Sequence, residues 1–125
     1  MTIPSRHPQE IEVWYILPAI RKELVLALKE KGHTQKHIAA FLNVTEPAVS
    51  QYTKEKRAQK IRLNNKVKRL IREAAEKIKD TATAYRQIQK ICEFIRNSKA
   101  LCGIHMQLEE NLKCCDICYR KISRK

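Results

Sequence analysis

The chain has almost none of the residues that turn a backbone sharply. Its 125 residues include only 2 glycines and 4 prolines, too few for the turns of a many-stranded sheet. The same shortage leaves no Gly-rich phosphate loop. Apolar residues recur instead at steps of three and four, the spacing of one helix face. Strand-like alternation is confined to Ile11, Val13, Tyr15 and Leu17. The expected fold class is all-α.

Pro18 is suited to the start of a first helix, where its missing N–H costs nothing. Ile20, Leu24, Ala27 and Leu28 then follow at helical spacing as far as Gly32, a natural C-terminal stop. Thr34 is a good N-cap for a short helix holding Ile38, Ala39 and Leu42. Asn43 occupies the turn after it, since Asn tolerates a left-handed conformation. Thr45 caps the next helix, and Pro47 falls in its first turn. Val49 and Tyr52 form the inner face of that helix, with Glu46, Ser50 and Lys54 outside.

Two short helices with a tight turn make a helix-turn-helix unit. The stretch HTQKHIAAFLNVTEPAVSQYTKEKR, His33 to Arg57, resembles the helix-turn-helix of the phage-repressor (Cro/C1, or Xre) type. The resemblance is carried by Thr34-Gln35, the small Ala39, Leu42-x-Val44-Thr45, Val49-Ser50 and Lys56-Arg57. With the preceding EVWYILPAIRKEL, the chain is similar to archaeal predicted transcription regulators that carry a Cys-containing tail. Asn43 and Glu55 stand where that pattern commonly has glycine.

The resemblance implies that the helix from Thr45 enters the major groove of double-stranded DNA. Glu46, Ser50 and Gln51 would read base edges, and Pro47 and Ala48 would offer apolar contact. Thr34, Gln35 and Lys36 would meet phosphates at the start of the preceding helix. Lys54, Lys56, Arg57, Lys60 and Arg62 would clamp the DNA backbone without reading sequence.

The charge supports a polyanion partner. Residues 1–53 carry 6 basic and 5 acidic groups, residues 54–72 carry 9 and 1, and residues 73–125 carry 11 and 7. The excess therefore sits just after the candidate recognition helix. A solvated helix face is the competing explanation.

From Leu63 an apolar seam runs through Val67, Leu70, Ala74, Ile78, Ala82, Tyr85, Ile88, Cys92 and Ile95. It predicts a long helical segment over 61–98, divided at Asp80-Thr81 if that pair caps a new helix. The seam would serve a homodimer or pack back on the first 60 residues; repressor-type modules usually pair, so a dimer is expected.

Residues 99–125 hold four of the 5 cysteines. Cys115 and Cys118 form a C-x2-C pair, and Cys102 and His105 a C-x2-H pair, spacings that let neighbouring ligands reach one tetrahedral ion. Cys102, His105, Cys115 and Cys118 would hold zinc. Cys92, Cys102, Cys115 and Cys118 would hold an iron–sulfur cluster. The archaeal resemblance points to the second set and to a 4Fe-4S cluster, giving a redox- or iron-responsive regulator. The alternative is a nucleic-acid-associated module with a structural zinc-stapled tail. Cys114 reads as a spare thiol, and Cys92, on the seam, also fits a core role.

No catalytic pattern of paired carboxylates, Ser/His/Asp or phosphate loop occurs, so an enzyme and a small-molecule substrate are not expected. There is no apolar leader or membrane span, and the odd cysteine count fits reduced thiols, so the expected location is cytoplasmic.

Overall fold

A computed structural model describes residues 7–54 and 61–108, without the side chain of His105. Every regular element among them is helical: α1 (Pro8–Ile11), a π turn (Glu12–Ile16), α2 (Leu17–Glu30), α3 (Gln35–Leu42), α4 (Glu46–Lys54), α5 (Asn65–Lys77), α6 (Thr81–Arg96) and α7 (Ala100–Leu108). None is long and apolar enough to cross a membrane.

The alternation at Ile11, Val13, Tyr15 and Leu17 is not a strand. Ile11, Tyr15, Ile16, Ala19 and Ile20 are buried at helical spacing, whereas Val13 is 59% exposed. The helix also begins well before Pro18. The Leu17 N–H donates to the Glu12 carbonyl, five residues back, so the widened turn lies immediately before the proline that cannot donate.

Gly32, at φ 94°, ends α2 as its position suggests, and the His33 N–H donates back to the Leu28 carbonyl at 3.2 Å. Helix α2 packs against α3, α4 and α5, while α6 packs against α3, α5 and α7. Buried side chains from Ile11 to Ile104 form one cluster.

The 61–98 segment is divided at Asp80-Thr81, as the capping chemistry of that pair allows, into a helical hairpin. Ile78 is extended (ψ 123°) and ends α5. Asp80 then caps α6, accepting from the Thr83 N–H at 2.8 Å. The break lets α6 return along α5, bringing Lys66 to 5.3 Å from the Phe94 ring. Leu63, Val67, Ala74, Ile78, Cys92 and Ile95 are thereby buried within the chain's own core. Ala82 and Tyr85 are left outside, and Ile88 is half-buried. Part of the Cys-rich tail joins the same core, through Leu101, Cys102 and Ile104 on α7.

Candidate nucleic-acid interface

The unit α3–turn–α4 is held by local chemistry at each end. Thr34 Oγ1 accepts from the His37 N–H at 3.1 Å. Asn43 adopts the left-handed conformation (φ 57°, ψ 47°), which lets the Val44 N–H reach the Ala39 carbonyl at 3.0 Å. Thr45 Oγ1 accepts from the Ala48 N–H at 3.3 Å. Ala39 and Val49 are buried beneath the pair, and the small Ala39 side chain permits the approach.

A side chain locks the two helices together. Gln35 Nε2 donates to the Glu46 carbonyl at 2.8 Å and to Ser50 Oγ at 2.9 Å. The side-chain amide of Gln35, a residue expected to meet phosphate, is thus engaged between helices, and Ser50 is half-buried. Thr45, Glu46, Pro47, Gln51 and Lys54 remain on the outer face, with Ala48 half-buried among them. Thr34 and Lys36 are exposed at the start of α3.

Two contacts here were not anticipated from the sequence. The Arg21 guanidinium lies 5.6 Å from the Tyr52 ring centre, tying α2 to α4. His33 and His37 both meet the Phe41 ring, at 5.2 Å edge-on and 6.5 Å stacked. Histidine-to-aromatic spacing of four within α3 is the signal that identifies the second contact.

Lys56, Arg57 and Lys60 lie outside the described residues. Arg62 is exposed, and its backbone is pinned from both sides by one side chain. Its N–H donates to Gln107 Oε1 at 2.6 Å, and its carbonyl accepts from Gln107 Nε2 at 2.9 Å. The chain leaving the basic segment is therefore fastened to α7. Further cations, Lys66, Arg69 and Arg72, are exposed on α5.

Of the proposed metal ligands, Cys92 and Cys102 are described, both buried, on α6 and α7, helices that pack on each other. Cys114, Cys115, Cys118 and the His105 side chain lie outside the described residues. Among the described residues no three of His, Cys, Asp and Glu form a metal-holding group.

The surroundings of Cys92 are those of a core thiol. Burial, with the Glu12 carboxylate beside and hydrogen-bonded to it, pushes the thiol up to about 12 in the metal-free chain, a cost that metal coordination would have to offset. Arg96, which pairs with Glu12 at 3.2 Å, offsets only part of this. The space beside the thiol is about 10 Å³, bounded by Ile16, Ile95 and Leu101 as well as that ion pair. This is room for about one water at most. The core reading of Cys92 accounts for its surroundings.

Compared with protein-family models, curated proteins and solved structures, the chain gives no match.

Proposed function

We propose that the chain is a transcription regulator that binds double-stranded DNA through a helix-turn-helix formed by α3 and α4. The observation that carries this reading is the pair of hydrogen bonds from Gln35 to the Glu46 carbonyl and Ser50 Oγ. They fix α4 with its outer residues, Glu46 and Gln51 above all, clear of the core. The basic linker after α4 and the cations of α5 supply attraction to phosphate. Binding, not catalysis, is the proposed activity.

The test combines a footprint with substitution on the outer face of α4. One discrete protected site is expected on the DNA flanking the chain's own coding region. Gln51→Ala should relax preference at one base pair by about 1–3 kcal/mol. An equal loss on specific and random DNA would remove Gln51 from base reading.

For the cysteines, the surroundings of Cys92 favour the set without it. We propose Cys102, His105, Cys115 and Cys118 as a zinc clasp, in preference to the four-cysteine iron–sulfur set. Elemental analysis of anaerobically purified protein decides between them. About one zinc per chain, retained in Cys92→Ala, is expected. Iron with visible absorbance that Cys92→Ala abolishes would restore the cluster.

A further inference from the structure

We propose that the DNA-binding surface extends onto α7: Arg62 and Lys99, at the rim of one cleft, hold a backbone phosphate between them, and Gln107 positions Arg62 for it. The inference rests on the chain binding duplex DNA and adds a contact from the C-terminal element.

Arg62 is fixed on several sides. Ile61 and Leu63, its neighbours in the chain, are buried, which turns the exposed Arg62 outward. Asn64 then caps α5, accepting from the Val67 N–H at 2.8 Å, so the linker ends at this point. The Gln107 amide engages both the N–H and the carbonyl of Arg62, at 2.6 and 2.9 Å. Helix α7 is itself anchored, since Leu101, Cys102 and Ile104 are buried in the core. Two exposed hydrogen bonds add little to stability. What they reduce is the conformational freedom that a loose linker residue would lose on docking.

A cleft of about 280 Å³ opens beside this clasp. Val67 and Ile104 are among its apolar lining, and Arg62 from the linker and Lys99 from the start of α7 are its cations. The Lys99 carbonyl accepts from the Gly103 N–H at 3.0 Å, so this second cation also stands on a fixed backbone. Among the described residues, no aspartate or glutamate lines the cleft. The cleft between α5 and α6 differs, because Glu73 lines it together with Lys77 and Lys90. Two cations from separate elements, without an acid, favour an anion. The charge run selects which one. The chain leaves α4 at Lys54 and reaches the cleft at Arg62 through a segment that carries 9 basic groups and 1 acidic over residues 54–72. A phosphate of the duplex engaged by α4 is the occupant this run favours, and a guanidinium suits its paired oxygens.

Duplex affinity measured between about 0.05 M and about 0.2 M NaCl reads the contact. Lys99→Gln should flatten the slope of log affinity against log salt by about 0.9, the share of one phosphate. The change should be alike on specific and random duplexes, with an unchanged helical circular dichroism spectrum. Lys90→Gln removes the same charge from an exposed position on α6 and should leave the slope as it was. Gln107→Ala alters no charge. It should weaken binding roughly threefold or more when Arg62 is present, and not at all in an Arg62→Gln background, because it acts through Arg62. A Lys99→Gln protein with unchanged affinity and slope overturns the proposal. So does an equal flattening in Lys90→Gln, which would make the effect one of net charge. A Gln107→Ala loss of the same size with and without Arg62 overturns the positioning role. An unmodified chain that binds no duplex at any of these salts overturns the DNA-binding reading itself, and the role of the cleft with it.

Discussion

Gln35 and Ser50, 15 residues apart in sequence, are joined by a hydrogen bond of 2.9 Å between the amide of one helix and the hydroxyl of the next. With the second bond to the Glu46 carbonyl, a single side chain sets the angle between α3 and α4. Gln35→Ala removes both donors. The expected cost is about 1–2 kcal/mol, read as a lower urea midpoint. DNA affinity should fall by more than the loss of one phosphate contact would give, because α4 loses its brace. Full affinity in a folded Gln35→Ala protein would show that the brace is not needed.

Asn43 supplies the left-handed turn between the same helices, at φ 57°. Alanine there meets the Cβ clash that Asn partly offsets, and Asn43→Ala should destabilise by about 1 kcal/mol. Asn43→Gly should be neutral or slightly stabilising, since glycine takes this conformation without strain. Chemical denaturation of the two variants side by side checks the order.

How much of this was legible in the sequence depended on the range of the interaction. Thr34, Asn43, Thr45 and Asp80 act on residues three to five positions away, and their chemistry identified the caps and the turn. The 63–95 seam was visible as a period, but period alone does not say which surface covers it. The extended backbone at Ile78 decides that, by folding α6 back on α5. At Ile11–Leu17 an alternation of four residues pointed to a strand, and the helical burial of Ile16 and Ala19 outweighed it. The brace formed by Gln35 was not legible for a related reason. Its partners, Glu46 and Ser50, lie across a turn, and no spacing rule links them.

Asp80 makes the start of α6 sensitive to acid. The Thr83 backbone N–H, and then its hydroxyl, hold the Asp80 carboxyl below the ordinary range. A carboxylate with a depressed folded-state pKa stabilises above its unfolded pKa, and this contribution is lost as pH falls through the folded value. Asp80→Ala should therefore lower stability at neutral pH, and the gap from the unmodified chain should close in acid, below the usual carboxylate range. Thermal melts across that window measure it. A pH-independent gap would assign the effect of Asp80 to packing rather than to its charge.

Cys92 should react slowly with thiol reagents in the native state. Its thiol is pushed up to about 12 by burial and by Glu12, and alkylation proceeds through the thiolate. At pH 8 the Cys92 peptide should be labelled by iodoacetamide roughly a hundredfold more slowly in native protein than in urea. Glu12→Gln removes the carboxylate beside the thiol and should raise the native rate. Peptide mass spectrometry over time gives both rates. Fast native labelling of Cys92 would return it to the pool of available ligands.

Because buried residues from Ile11 to Ile104 form one cluster, the chain should unfold as a unit. Leu28 on α2 and Ile71 on α5 are respectively 0% and 1% exposed, and their helices pack on each other. Truncating either leaves a cavity that close-packed neighbours fill only in part, at about 2–5 kcal/mol each. If the core is shared, Leu28→Ala and Ile71→Ala should each move one cooperative transition, seen alike by circular dichroism and by Trp14 fluorescence. The unmodified chain should likewise show one transition, with the two probes superimposed. Two separate transitions, with Ile71→Ala moving only one of them, would mean that α5 and α6 fold apart from α2. The 61–98 hairpin would then have its own stability, independent of α2 to α4.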